Sequence, residues 1–279
     1  MQQAITYMIL AALLFTCLNF VIRAADHLPT IQLVFFRSLG SAICGFLLLK
    51  RFKIPMKGNN PPMLILRGVV GLIAMFLFFK AMQMLPMASA VSLRYSAPIF
   101  ATILSLFLLK EKVISWQWLL LATAFIGIIM LKGFDARISA TGFGIAMLSA
   151  LMTGLVYTII RKIGASEHPI VIVNYFMTIS TVAGAIGIVF YWTPITPQEW
   201  VMLLSMGLLG FGAQYYMTKA IQLAEANLIT PFKYLEAVFT LIIGWAVFGE
   251  YQTSITILAM VIIVLSLVAN VWVKGRYKG

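Results

Sequence analysis

Six basic residues and one acid interrupt otherwise apolar stretches of this chain: Arg37, Arg67, Lys80, Arg94, Lys219, Lys233 and Glu236. Bases in apolar surroundings suit the recognition of an anion, and an arginine fork matches a carboxylate or phosphate well. A carboxyl among them supplies a counter-charge for a cationic group, or a seat for a proton. Catalysis is not indicated. The only histidines, His27 and His168, and the only aspartates, Asp26 and Asp135, fall in loops. Paired acids, an H-x-x-x-H spacing and a phosphate-binding glycine loop are all missing from the sequence, so no catalytic residue, metal site or cofactor is expected. Cys17 and Cys44 have no zinc or disulfide spacing and are expected to be small buried hydrophobes.

The surroundings explain why these charges are informative. Apolar residues make up 62% of the 279 positions and charged residues 10%, against about 25% charged in soluble domains. Mean hydropathy is +1.01. A helix needs about 20 mostly apolar residues to cross a bilayer. Ten segments qualify: 4–22, 30–49, 63–84, 88–109, 114–131, 141–160, 170–190, 200–218, 227–248 and 254–273. They are long and apolar on all sides, which predicts helices rather than a barrel. The first segment has no basic residue before Arg23 and no small-residue cleavage site after it, so it reads as a retained helix and not a signal peptide. The lipid bilayer is therefore the expected partner, and nucleic acid is not. With the N-terminus inside, the inner loops collect 11 of the Lys and Arg residues and the outer loops 3. By the positive-inside rule both termini are expected in the cytoplasm.

The chain also repeats itself. Shifted by 139 positions, residues 67–111 fall on 206–250 without a gap. Gly68 and Gly71 then meet Gly207 and Gly210, Lys80 meets Lys219, Tyr95 meets Tyr234, and Glu111 meets Glu250. Arg94 faces another base, Lys233. Two repeats are expected, 1–138 and 139–279, each of five spans. Five is odd, so matched helices run in opposite directions, the inverted design of secondary transporters with a site near the midplane. The fold class is thus an all-α polytopic membrane protein of ten transmembrane helices in two inverted five-helix repeats.

Inversion sorts the charges. At 1.5 Å per residue, Arg94 lies about 9 Å into its span, and Lys233 lies at the same depth from the other face. Arg37, Lys80 and Arg94 fall in one half of the membrane, Lys219 and Lys233 in the other. Two readings are open for Lys80 and Lys219, a cavity role or snorkelling at the span ends. Arg67, four residues into its span, is read as snorkelling. Glu236 is about 13 Å deep, has Ala97 as its counterpart, and follows Lys233 by three residues. An internal Lys233–Glu236 ion pair is therefore expected, either merely neutral or switchable by cargo or a proton and so used for coupling and gating. Tyr95, Tyr234, Asn174 and Gln214 are expected to complete the substrate site, the amides because an amide facing lipid is unsatisfied. Pro98 and Pro231 are not matched by the repeat, so the halves need not bend alike. The glycine pairs, with Gly142 and Gly144, are expected at close helix contacts. Glu111 and Glu250, ending matched spans, call for basic partners.

Several of these residues carry a resemblance. Phe36-Arg37, Arg67-Gly68, Lys80-Ala81 with Leu85-Pro86, the stretch from Tyr95 to Pro98, Leu109-Lys110-Glu111, and in the second half residues 231–236 and Phe248-Gly249-Glu250 resemble the EamA-type, ten-helix branch of the drug/metabolite transporter superfamily. Within it, the Tyr234-Leu235-Glu236 stretch is most similar to S-adenosylmethionine-uptake-like bacterial carriers. The resemblance implies a central cavity open to one side at a time. The expected function is secondary active transport of a small polar metabolite across the inner membrane by alternating access. Anionic or zwitterionic cargo is expected, amino-acid-like or S-adenosylmethionine-like, with a proton or counter-substrate as partner and a monomer or homodimer as the unit. A broad-specificity exporter is the alternative. A channel fits less well, since no charged ring or filter-like loop stands out, and a membrane enzyme would need a nucleophile, base or metal ligands at membrane depth.

Overall fold

The computed structural model describes residues 2–110, 115–223 and 232–276. Glu111, Lys112, Pro231 and the start of the ninth expected span lie outside them. Among the described residues the chain is helical: α1 (Gln2–Ala24), α2 (Thr30–Arg51), α3 (Pro61–Met84), α4 (Met87–Arg94), α5 (Ala97–Leu108), α6 (Ser115–Phe134), α7 (Ala140–Ile163), α8 (Pro169–Phe190), α9 (Pro197–Leu223), α10 (Leu235–Phe248) and α11 (Ser254–Arg276). Counting Met87–Leu108 across its break, 7 segments are long and apolar enough to cross a membrane; Leu235–Phe248 and Ser254–Asn270 are shorter apolar helices. The protein is a multi-pass, all-α membrane protein.

Helix ends follow local chemistry. Asn60 caps α3 by accepting from the Met63 N–H at 3.3 Å, ahead of Pro61 and Pro62, and Ser139 caps α7 through the Gly142 N–H at 3.0 Å. Proline at a helix start forfeits only a donor that has no intrahelical partner there. Gly164 and Gly249, with φ of 59° and 62°, end α7 and α10 in the backbone region that glycine enters without a Cβ clash.

The packing looks the same when the two halves are exchanged. α2 lies on α8, and α6 on α11. The contact of α1 with α9 is answered by α3 with α7, that of α2 with α9 by α3 with α8, and that of α5 with α7 by α1 with α10. The repeat-matched rings of Tyr95 and Tyr234 meet edge to face, centroids 4.9 Å apart. Matched residues can touch each other only near the axis that relates the halves.

The matched spans also break at the same place. α4 ends at Arg94, and Tyr95 and Ser96 turn before α5; the counterpart turn falls on Tyr234, just before α10. The two halves turn at matched positions although their prolines are not matched. Pro98 lacks the N–H that would bond the Arg94 carbonyl, which accounts for the first break.

Small residues bring the helices together. A Cβ on Gly207 would stand 2.5 Å from the Gly40 Cα, and one on Gly68 would stand 2.4 Å from Ile179 Cδ1. Gly142 is tight against Leu85, but Gly144 has open space around it, so its expected packing role is corrected. Cys17 is exposed on α1 rather than buried, and Cys44 is half-buried. At Gly207→Ala, backbone faces backbone and neither can yield without parting α2 from α9. We expect this variant to be less stable by about 1–3 kcal/mol, read as a lower melting temperature in detergent. An unchanged melting temperature would show that the two helices are free to separate.

Candidate functional site

The broken spans deliver their charged residues to one buried point. Glu236 sits in the first turn of α10, where the helix dipole favours an acid, and it is completely buried. Its Oε1 accepts from Arg94 Nη2 at 2.6 Å and from Asn19 Nδ2 at 2.8 Å, and its Oε2 accepts from the Tyr95 hydroxyl at 3.2 Å. Three segments (α1, the α4 end and α10) thus close on one carboxylate. The expected pairing with Lys233 is corrected: the partner of Glu236 is Arg94, 142 residues away, rather than the base three residues back. The Lys233 ammonium instead lies 3.2 Å from the Tyr157 hydroxyl and over the rings of Tyr157 and Phe15. Arg94 stacks 3.9 Å above Phe78 and keeps 19% of its side-chain surface accessible, whereas Glu236 keeps none.

Arg37 and Arg67 extend this basic interior. Arg67 does not snorkel: only 5% of it is exposed, with its guanidinium carbon 4.3 Å from the Phe176 centroid. Gly71 explains the burial, because a Cβ there would stand 2.7 Å from Arg67 Nη1. Arg37, 4% exposed, feels the charges of both Arg94 and Arg67. Tyr234 is buried against Tyr95. Asn174 is buried on α8, where a Cβ on Gly45 of α2 would come within 2.7 Å of its Oδ1.

Three expected site residues lie elsewhere. Lys80 is exposed on α3, so a cavity role is corrected. Gln214 and exposed Lys219 line a separate cavity of about 290 Å³ with Phe52, His168 and Tyr215, at the end of the molecule that carries the basic α2–α3 link. Asn19 was not anticipated, although an amide inside an apolar helix is the same signal that marked Asn174.

The opposite end is tied across the halves. Arg23, at the end of α1, pairs with Glu250 at 2.9 Å, whose other oxygen accepts from the Met87 N–H at 2.7 Å. This is the basic partner that Glu250 was expected to require. Burial pushes the Glu250 carboxyl above the usual range, and the Met87 N–H and Arg23 pull it back down. Arg137 grips Asp135 at 2.8 Å and Gln252 at 2.8 Å nearby. At the basic end, Glu167 accepts from the Asn59 N–H at 2.6 Å and also from that of Asn60, and the Tyr175 hydroxyl donates to the Lys57 carbonyl at 2.8 Å.

The described residues thus form a polar, charged centre where the matched spans turn, with ties at both ends. The EamA-like transporter family model matches the chain twice, over residues 2–132 and 140–272. The chain belongs to the EamA-like transporter family. Over 275 residues it is 27% identical to the pseudopaline exporter CntI of Pseudomonas aeruginosa, covering 96% of each chain. It is 25% identical to the S-adenosylmethionine uptake transporter of Rickettsia bellii, over 85% of this chain and 82% of that one. Human solute carrier family 35 member G1 is 27% identical over 90% of this chain and 74% of its own length. A solved crystal structure superposes with a TM-score of 0.72 over 98% of both chains at 18% identity, which shows a shared fold. The family and these relatives are transporters, not enzymes.

Breaking a buried ion pair from one side leaves the other charge uncompensated, at a cost of about 3–5 kcal/mol. Glu236→Gln is therefore expected to lower the melting temperature in detergent. Adding Arg94→Met should restore most of the loss, as a double-mutant cycle would reveal. Additive losses would mean that the two side chains do not interact.

Proposed function

We propose that the chain is a secondary active transporter moving a small polar organic metabolite, anionic or zwitterionic, across the inner membrane by alternating access. The two halves divide at residues 138 and 139, with both termini cytoplasmic, as the basic loops favour. The observation that carries the reading is the charge balance of the interior. Among the described residues, Arg37, Arg67, Arg94 and Lys233 stand against one interior acid, Glu236, whose oxygens already receive three donors. Such an interior attracts negative charge. The two bacterial relatives differ in cargo and direction by name. S-adenosylmethionine, with a sulfonium and an ammonium against one carboxylate, is net cationic. The basic excess therefore favours a cargo at least as acidic as an amino acid.

Glu236 and Arg94 are the coupling pair in this reading. A cargo carboxylate that engages Arg94, or a proton on Glu236, loosens the tie joining α1, α4 and α10. Lys233 and Tyr157, at the accessible edge, meet the cargo first. The test is flux in proteoliposomes, after a thermal-shift screen of metabolites has chosen the cargo. Saturable, counterflow-competent transport of an acid or zwitterion is expected. Glu236→Gln should lower the rate at least about tenfold, the consequence of roughly 1.4 kcal/mol in a rate-limiting step, and should alter the pH dependence. Thermal shifts from neutral sugars alone, conductance that never saturates, or a fully active Glu236→Gln with unchanged pH dependence would each overturn a part of this reading.

A further inference from the structure

Two guanidiniums are buried here with no anion beside them among the described residues. Arg37 Nη1 donates to Met75 Sδ, a weak acceptor. Its Nε, and the Nε and Nη1 of Arg67, have no hydrogen-bond partner among the described residues. Their company is aromatic. The Phe176 centroid lies 4.3 Å from the Arg67 guanidinium carbon and 5.9 Å from that of Arg37, which also lies 5.8 Å from the Phe79 centroid. The two guanidinium carbons are therefore within about 10 Å of each other. Ring faces return about 0.5–2 kcal/mol per cation, while burying a charge costs several kcal/mol. A further partner of opposite charge is needed to close the gap.

The repeat shows that helix packing does not require these charges. Arg67 corresponds to Met206 at the shift of 139, and Arg37 to Met177 at the shift of 140 that aligns Pro29 with Pro169. The second half thus places an unbranched apolar side chain at both positions. The matched glycines instead make room: a Cβ on Gly71 would meet Arg67 Nη1 at 2.7 Å, and one on Gly210 would meet Arg37 Nε at 3.2 Å. Arg37 lies over the Phe79 ring and Arg94 over the Phe78 ring, neighbouring rings with centroids 6.4 Å apart, so the pair lies beside the centre around Glu236.

We propose that Arg37 and Arg67, beside Phe176, form a second anion subsite, and that the cargo is a dianion, its second acidic group held there while the first engages Arg94. This rests on the transport reading above and narrows it. With four bases against one acid, a zwitterion leaves the excess of three charges untouched, whereas a dianion reduces it to one. Two carboxylates on a short chain and one phosphate both supply two negative charges, and the two are distinguished by the probes.

The test uses the purified full chain, titrated by thermal shift with dicarboxylates from malonate to adipate, inorganic phosphate, and glutaramate as the singly charged relative of glutarate. The proteins are wild type, Arg37→Met, Arg67→Met and Arg67→Lys. In wild type one dianion should bind at least about tenfold tighter than glutaramate, the range of a charged hydrogen bond. Each methionine variant should lose that preference and melt no lower than wild type without ligand. Arg67→Lys keeps the charge but not the fork and should retain part of the preference; it serves as the probe if a methionine variant does not fold. Methionine variants that melt lower yet keep the dianion preference would make the arginines structural and overturn the proposal. Wild type that binds glutaramate or amino acids as well as any dianion would also overturn it, while leaving the transport reading standing. Wild type that binds no anion or zwitterion at all would remove both.

Discussion

The carboxylate of Glu236 is the point on which the centre of this protein depends. It accepts from three side chains on two other segments, is wholly out of solvent, and lies at the start of a half-helix. A buried carboxylate is tolerable only with donors of this number and charge, so α1, the end of α4 and α10 are held to one relative position while the contact lasts. The break in each matched span makes that contact possible. A continuous helix would carry Arg94 and Tyr95 past the centre on one unbroken surface. Turning at Tyr95 and at Tyr234 lets both chains present side chains and helix ends to the same point.

Symmetry and its violation then divide the labour. The matched tyrosines and glycines shape both halves: Gly207 admits Gly40, and Gly68 admits Ile179 and the Phe176 backbone. The charged residues at the centre are mostly unmatched. Glu236 has Ala97 opposite it, Arg67 has Met206, and only Arg94 meets a base, Lys233. Even that pair behaves differently, Arg94 binding the acid and Lys233 reaching Tyr157. Two-fold related helices supply the scaffold, and the unmatched charges set the two halves of its centre apart.

Much of this was legible in the sequence because it rests on pattern. Spans follow from the lengths of apolar runs, inversion from an odd number of spans per repeat, and close packing from glycines shared by the halves. Side-chain pairing was less legible, since local spacing competes with long-range contact. Lys233, three residues from Glu236, seemed the natural partner by helix geometry; the turn at Tyr234 takes Lys233 off the helical face that carries Glu236 and leaves the acid to Arg94. Arg67 looked close enough to water to snorkel, but the space at Gly71 and the face of Phe176 draw it inward. Lys80 and Lys219 shared the repeat signal of true centre residues yet are exposed, because matched positions near span ends also serve as interface anchors.

The ties at the two ends differ in kind, and this bears on how alternating access would proceed. At one end, Arg23 and Glu250 form an ion pair between halves, reinforced by the Met87 N–H. At the other, Glu167 holds backbone N–H groups of the α2–α3 link, and Tyr175 holds a carbonyl of the same link. The first can be replaced group for group by water and salt. The second fastens a loop, and opening that end requires the loop to move as a unit. Charge-assisted bonds of this kind contribute about 1.5–3 kcal/mol each, comparable to what a cargo carboxylate gains from Arg94. In the proposed transport cycle, cargo binding at the centre and release of one end would then be similar in magnitude, the condition under which a ligand can shift a two-state equilibrium without being trapped by it.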